Sequence, residues 1–293
     1  MTDLLHAVGF GLITAAIIAT ASVAFSLQFS VTTTPNFAHG ELLTVGAYAA
    51  LVGQNLTNNL FVAVAAAMIA GAACALFLNL GLIQPFIGAG AKRLAIFLVT
   101  VSYGLVLQNI ILLIFGGTPL TYKLPTPNLQ NVGPFLWTSL DVGVLLTALL
   151  VLVLLHLLLR YTRFGKAMRA VSDNPQLARA SGINTPRIIA VTWALDGAIA
   201  GYSGCVLAAY LGAMTPTMGY SFLVVIFAAA VIGGLGKPYG TLIGALLLGV
   251  VMEVSAAYIR AEYKTSIAFG LLIIALLIRP RGVISAEIFN LAE

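Results

Sequence analysis

The sequence predicts an all-α protein that crosses a membrane several times, through about eight or nine hydrophobic segments. Hydrophobic residues make up 60% of the 293 residues and charged residues only 8%, whereas a soluble domain carries about 25% charged residues. A bilayer core of about 30 Å takes roughly 20 apolar residues of helix, because lipid offers the backbone no hydrogen-bond partners. The apolar segments fall near residues 4–27, 41–53, 59–82, 94–116, 139–159, 188–212, 221–236, 239–259 and 265–279.

The first segment, 4–27, is interpreted as a membrane span and not as a secretory signal. It follows the acidic residue Asp3. It also lacks the basic start and the small-residue cleavage site that a secretory signal carries.

Two segments, 41–53 and 221–236, are too short to cross a bilayer comfortably. Each follows a Thr-Pro break, at residues 34–36 and 215–217, and each contains glycine. Interrupted helices often surround the substrate pathway of a transporter, so the pair predicts one or two broken or re-entrant helices. An ordinary kinked helix and an ordinary loop fit the same pattern, and both interpretations stay open.

The basic residues predict which loops face the cytoplasm. The chain has 14 Lys and Arg against 9 Asp and Glu, and such residues gather in cytoplasmic loops, so the surplus indicates topology and no nucleic-acid partner. Loops 117–138, 213–220 and 260–264 then lie outside. The side of the N-terminus stays open, because it depends on whether 41–53 crosses fully or turns back. The basic residues that set this orientation are Lys92, Arg93, Arg160, Arg163, Lys166, Arg169, Arg179, Arg187, Lys237, Arg279 and Arg281.

The longest cytoplasmic stretch, residues 160–187, is amphipathic and predicts two short helices. One covers Phe164 to Val171, and a second begins at Pro175, with Asp173 or Asn174 as its cap and Gly182 as its stop. Apolar side chains on such short helices favour a surface that docks on a protein partner. A basic hairpin lying on anionic lipid headgroups accounts for the arginines equally well.

Three motifs resemble the branched-chain amino acid permease family of ABC importers. The cytoplasmic stretch has Arg160 or Arg163 before the run G-x-A-x-R-A at 165–170 and A-x-x-x-G-I-N at 178–184, as in the coupling segment of that family. Residues 36–48, N-F-A-H-G-E followed by G-A-Y, resemble the LivH-type member of the permease pair. The glycine-rich run at 228–244 is a third match.

The resemblance implies a single transmembrane permease domain over residues 1–293, with a coupling segment at 160–187. Its solute is expected to be an amino acid, branched-chain or otherwise neutral. The expected partners are two cytoplasmic ATPase subunits, a second permease of the LivM type, an extracytoplasmic solute-binding protein and the lipid of a bacterial inner membrane. The chain is expected to be no enzyme and to bind no cofactor, since it has no P-loop and ATP and Mg belong to the ATPases.

The family's coupling role maps onto one set of residues in the cytoplasmic stretch. Its apolar members are expected to insert into a groove of the ATPase, and its arginines to pair at the rim of that groove. The set comprises Arg163, Phe164, Gly165, Arg169, Asn174, Leu177, Ala178 and Gly182.

Polar residues inside apolar segments are expensive, which makes each one a candidate for function. The pathway candidates are Asn36, His39, Glu41, Tyr103, Gln108 and Asn109. At the first break the alternative is helix capping, by Asn36 through a freed N–H group and by Glu41 near a helix N-terminus. Asp196 is expected to pair between helices, and Glu253 to lie near the outer interface with Tyr258 and Arg260.

Other classes of function fit the sequence less well. A secondary transporter carries coupling carboxylates at mid-membrane depth, and only Asp196 and Glu253 offer them. An intramembrane hydrolase needs a catalytic set, but His39-Gly40-Glu41 lacks the H-E-x-x-H spacing, and no pattern predicts a metal site. Within the importer class, urea and short amides remain alternative solutes.

Overall fold

The computed structural model describes residues 2–124, 129–132, 135–259 and 261–278, and almost all of them are helical. The elements in chain order are α1 (Thr2–Thr32), α2 (His39–Thr57), α3 (Leu60–Phe77), a π-helical turn (Leu78–Ile83), α4 (Gln84–Gly88), α5 (Arg93–Phe115), β1 (Leu129–Val132), β2 (Phe135–Thr138), α6 (Ser139–Tyr161), α7 (Arg163–Asp173), α8 (Pro175–Ala180), α9 (Thr185–Leu211), α10 (Met218–Gly233), α11 (Pro238–Tyr258), a 3-10 turn (Ala261–Tyr263) and α12 (Lys264–Ile278). The two strands form an antiparallel hairpin.

Six helical rods of the described chain are long and apolar enough to cross a membrane. They are α1, the continuous rod from α3 through the π-helical turn to α4, and α5, α6, α9 and α11. Helices α10 and α12 are apolar but shorter. The predicted all-α, multi-pass architecture is therefore confirmed.

Helix α2 is longer than the predicted segment 41–53. It contains 19 residues and rises about 28 Å at 1.5 Å per residue. The polar residues Gln54, Asn55 and Thr57 lower the hydropathy of its last turns without interrupting the helix. The estimate of its length from hydropathy alone was therefore too short.

Parts of three sequence predictions lie outside the described residues. Segment 265–279 corresponds to α12, of which Ile278 is the last described residue. The basic residues Arg260, Arg279 and Arg281, used to predict loop orientation or the surroundings of Glu253, are not among those described.

The chain forms two compact units. The first combines the residues up to Ser26 with Leu124–Leu149 and the residues from Phe222 onward. The second combines Leu27–Lys123 with Leu150–Ser221.

In the second unit, α2, α3 and α9 pack with their backbones in contact. A Cβ atom added to Gly46 of α2 would overlap the backbone of Gly201 of α9. One added to Gly71 of α3 would overlap the carbonyl of Gly197. In lipid, such small residues allow the close approach that holds helices together through van der Waals contact.

In the first unit, α1 packs closely against α11. A Cβ atom on Gly249 would clash with the backbone of Ala15, and one on Gly11 with that of Val250. Elsewhere in this unit, Glu253 of α11 accepts hydrogen bonds from Lys264 at 2.6 and 2.8 Å and from Thr14 at 2.8 Å. Glu253 thus pairs between helices with Lys264 and Thr14, partners that the sequence did not predict.

Candidate functional site

The helical path is interrupted between α1 and α2, at the predicted Thr-Pro site. Thr33 has a left-handed φ of 54°, and the backbone N–H of Phe37 donates to the Thr100 hydroxyl of α5 at 3.3 Å. Asn36 accepts from the N–H of Ala38 through its side-chain Oδ1 at 3.0 Å and from the N–H of His39 through its backbone oxygen at 3.3 Å. The capping interpretation of Asn36 is confirmed.

This break lies midway along two neighbouring helices of the second unit. The Glu41 side chain in the first turn of α2 is close to Gly104, the central residue of α5. His39, the first residue of α2, contacts Asp196 near the middle of α9. Helix α2 therefore begins at mid-length of helices that are long enough to span a membrane.

His39 and Asp196 form a buried polar pair between α2 and α9. The His39 Nδ1 atom lies 3.1 Å from the Asp196 Oδ1 atom, and both side chains are fully buried. The prediction that Asp196 pairs between helices is confirmed. Its partner was not predicted, because nothing in the sequence relates two residues so far apart.

Asn36 and Glu41 keep hydrogen-bonding capacity at the start of α2. Glu41 is 3% exposed and Asn36 is fully buried. Among the described residues, the Asn36 Nδ2 atom has no acceptor, and the Glu41 carboxylate interacts with the Thr44 hydroxyl of its own helix, which cannot saturate both carboxylate oxygens. An unused donor group and a carboxylate with spare acceptor capacity thus flank the same helix terminus. Most buried polar groups in proteins are paired, so this local arrangement points to function.

The other pathway candidates, all on α5, do not join this cluster. Tyr103 is buried and its hydroxyl donates to the carbonyl of Cys74 at 3.0 Å. Gln108 is half-buried, whereas Asn109 is exposed and donates to the carbonyl of Leu105 in its own helix at 2.7 Å. Tyr103 also lines an apolar groove of about 670 Å³ between α5 and the rod of α3 and α4.

Two further polar residues of the second unit were missed by sequence reasoning. Asn79 in the π-helical turn is 1% exposed, and neither atom of its amide has a hydrogen-bonding partner among the described residues. The hydroxyl of Thr44 accepts from the backbone N–H of Gly219 at 3.1 Å. An isolated polar residue in an apolar run carries no pattern, although π-helical turns are frequent at functional sites.

The stretch of residues 160–187 contains the two short helices that its sequence predicts. Thr162 caps α7 by accepting from the N–H of Gly165 at 3.1 Å. Asn174 caps α8 by accepting from the N–H groups of Gln176 and Leu177 at 3.1 and 3.0 Å. Gly182 follows α8 with a left-handed φ of 83°, a conformation that favours glycine. Asn174, not Asp173, is therefore the cap.

One face of α7 packs inward. Gly165, Met168 and Val171 recur at helical spacing and are buried. A Cβ atom on Gly165 would overlap the carbonyl oxygens at the end of α6. The Arg169 guanidinium donates to the carbonyl of Leu159 at 2.8 Å, which ties α7 to the same end of α6.

The opposite surface of α7 and α8 is free to meet a partner. Leu177 is 64% exposed, Arg163 and Asn174 are exposed, and Phe164 is half-exposed. Of the predicted coupling residues, Gly165 and Ala178 are instead buried within this chain.

A hydrogen bond joins α7 to the helix before the break. The Ser172 hydroxyl donates to the carbonyl of Ser30, in the last turn of α1, at 2.8 Å. This bond therefore links α7 to the helix end that directly precedes the break.

Comparison with known proteins agrees with the motifs. Residues 7–276 match the family model described as the permease component of the branched-chain amino acid transport system. The chain is 29% identical to the high-affinity branched-chain amino acid transport permease LivH of Salmonella typhimurium, over 90% of this chain and 89% of that protein. It is 29% identical to the probable LivH permease of Methanocaldococcus jannaschii, over 91% of this chain and 88% of that protein.

A solved structure shares the fold. The structure of PsaBC from Streptococcus pneumoniae in complex with Fab matches 97% of this chain and 94% of its own, with a TM-score of 0.51 and 13% identity. The length of the family match and the membrane-type helices lead to one conclusion. This multi-pass membrane protein belongs to the family of permease components of branched-chain amino acid transport systems.

Proposed function

We propose that this chain is the LivH-type permease subunit of an ABC importer that carries branched-chain or other neutral amino acids. The observation that supports this assignment most directly is the α7–α8 surface. It presents Leu177 and Arg163 to solvent, is anchored to α6 through Arg169, and is connected to the α1–α2 break through Ser172. A rigid element with an exposed apolar residue suits the transfer of movement from an ATPase to a transport pathway.

The proposed importer contains two permeases, two ATPases and one solute-binding protein. This chain pairs with a LivM-type second permease in a bacterial inner membrane, as a single permease domain. ATP and Mg bind to the cytoplasmic ATPases, and this chain supplies no cofactor site. The extracytoplasmic protein delivers the solute.

The bond between Ser172 and Ser30 also supports a membrane orientation. If α7 lies on the cytoplasmic side, the last turn of α1 lies there as well, and the N-terminus of the chain lies outside. Helix α2 then runs outward from mid-membrane depth, and its rise of about 28 Å carries its polar last turns, up to Thr57, beyond the apolar core. With α2, α10 and α12 added to the six long rods, the bilayer contains nine apolar segments.

The coupling surface of this proposal consists of Arg163, Phe164, Asn174, Leu177 and Gly182. Gly165 and Ala178 are buried beneath this surface, and the exposed Arg169 holds α7 to the end of α6 through its bond to Leu159. Along the pathway we place Asn36, His39 and Glu41 at the break, with Tyr103, Gln108 and Asn109 along α5.

The coupling surface is tested by two neighbouring substitutions on α8. Leu177→Glu places a charge on the exposed apolar residue, and Gln176→Glu places the same charge on the exposed residue beside it. The chain is purified with its ATPases, second permease and binding protein, and ATP-dependent leucine uptake is measured in proteoliposomes. We expect Leu177→Glu to lose ATPase co-purification and most uptake, and Gln176→Glu to retain both.

Other outcomes of this experiment contradict the proposal. Equal behaviour of the two variants would exclude Leu177 as a contact to the ATPase. Leucine flux through this chain alone, driven by an ion gradient, would identify a secondary transporter. ATP-dependent uptake of urea or short amides without leucine would replace the proposed solute.

A further inference from the structure

The N-terminus of α2 presents backbone N–H groups beyond that of His39, which donates to the Asn36 backbone oxygen. The first N–H groups of a helix have no acceptor within it, and they carry about half a positive charge together with the helix dipole. Ala38 at the N-cap has a methyl side chain, and no side chain caps the first turn from that position. Helix termini of this kind bind carboxylates and phosphates.

A second observation points to a ligand at the same place. The Asn36 side chain is held at this terminus by the bond from the Ala38 N–H to its Oδ1 atom, and its Nδ2 atom finds no acceptor among the described residues. Glu41 lies in the first turn of α2, is 3% exposed, and keeps acceptor capacity on its two oxygens beyond its interaction with the Thr44 hydroxyl. Leaving such groups buried and unpaired costs free energy.

The depth of this terminus suits a transported solute. Glu41 lies beside the central residue of α5, and His39 beside Asp196 near the middle of α9. Solute sites of transporters lie near the bilayer midplane, where interrupted helices point their N-termini at anionic groups of the substrate. The His39 and Asp196 side chains already face each other at 3.1 Å.

From these contacts we infer that the N-terminus of α2 binds a zwitterionic α-amino acid. The Glu41 carboxylate accepts from the α-ammonium group. The Asn36 Nδ2 atom and the free N–H groups of the first turn donate to the α-carboxylate. This inference rests on the proposed function, because it gives the proposed pathway a site that recognises the part common to all neutral amino acids.

The site is closed in this structure, because Asn36 and Glu41 are buried. The Glu41 side chain lies against Gly104 of α5, which has no side chain to withdraw. Solute entry therefore requires α2 to separate from α5. Movement of α1 through the bond between Ser172 and Ser30 is one way to drive that separation.

The test measures binding of three ligands to the permease complex, without binding protein, by calorimetry in detergent. Leucine carries both charged groups, 4-methylpentanoate lacks the ammonium, and 3-methylbutylamine lacks the carboxylate. Glu41→Gln removes the negative charge. Asn36→Asp keeps the oxygen that caps Ala38 but replaces the N–H donors with an acceptor. Co-purification with the ATPases reports that each variant is folded.

We expect a crossed pattern, in which each variant weakens the binding of a different analogue. Glu41→Gln should weaken the binding of leucine and of 3-methylbutylamine by about tenfold or more and leave the binding of 4-methylpentanoate unchanged. Asn36→Asp should weaken the binding of leucine and of 4-methylpentanoate by about as much and leave the binding of the amine unchanged or tighter. The matched controls Glu262→Gln and Asn55→Ala, at exposed positions, should bind all three ligands as wild type does.

Two results would overturn the site. One is the absence of saturable leucine binding to the wild-type complex. The other is a uniform loss for all three ligands in both variants, which indicates a structural role only. Uptake with the binding protein is measured on the same preparations. ATP-dependent uptake without the crossed pattern overturns the site alone, whereas no uptake by the wild type overturns the proposed function.

Discussion

The Nδ1 atom of His39 lies 3.1 Å from the Oδ1 atom of Asp196, and neither side chain is exposed. This pair joins the first turn of α2 to the middle of α9, in the part of the second unit where helix backbones also touch at Gly46 and Gly201. A polar pair inside an apolar bundle fixes the rotation of α2, because any other rotation leaves two polar groups buried alone.

Replacement of one member of this pair should be strongly destabilising. Asp196→Leu leaves His39 buried without its partner, and breaking a buried pair in this way costs on the order of 3 kcal/mol. The melting temperature in detergent measures the loss, with Asp173→Leu at an exposed position as control. The double variant His39→Leu with Asp196→Leu should recover most of the stability. A single variant as stable as the control would show that the pair contributes nothing.

The glycine contact between α2 and α9 gives a second prediction. Gly46→Ala adds a Cβ atom that overlaps the backbone of Gly201, and overpacking of this kind costs roughly 1–3 kcal/mol. Gly143→Ala in α6 is the matched control, since no atom lies within 4 Å of its added Cβ, and alanine favours helix by about 1 kcal/mol over glycine. Folded yield and melting temperature should fall for the first variant only. Equal yields would mean that α2 and α9 are not closely packed in the membrane.

Local signals made the ends of many helices predictable. Asn174 before Pro175, and Gly182 beyond α8, were identified from residue type and spacing alone, because a cap acts within one turn of the chain. The break before α2 was identified for the same reason, from proline and its neighbours.

Contacts between distant residues were not predictable. His39 with Asp196, and Ser172 with Ser30, are separated by more than a hundred residues, and no periodicity relates them. The bond from the Arg169 guanidinium to the carbonyl of Leu159 was likewise not predicted. Only the packing of α7 on the end of α6 reveals that contact.

The bond between Ser172 and Ser30 should affect coupling more than assembly. Ser172→Ala removes a hydrogen bond worth about 1 kcal/mol, and with it the direct link from α7 to the helix before the break. We expect several-fold more ATP hydrolysed per leucine transported, with unchanged co-purification of the ATPases. Ser181→Ala is the control, because the Ser181 hydroxyl bonds only to Leu177 in the same short helix. An unchanged ratio in Ser172→Ala would remove this link from the transmission path.

The last prediction concerns how α12 is attached to the first unit. Lys264 at its start donates two hydrogen bonds to Glu253 of α11, whose side chain is 11% exposed. Lys264→Met leaves that carboxylate with the hydrogen bond from the Thr14 hydroxyl, and we expect the free energy of unfolding to fall by about 1–2 kcal/mol, between the values for exposed and buried pairs. Because the variant loses only the contact that attaches α12 to α11, amide hydrogen exchange in α12 should become faster before exchange in the other helices does. The control Lys166→Met, at an exposed position, should leave exchange in α12 unchanged. Exchange that quickens equally in all helices would indicate that the pair stabilises the whole fold and not the attachment of α12.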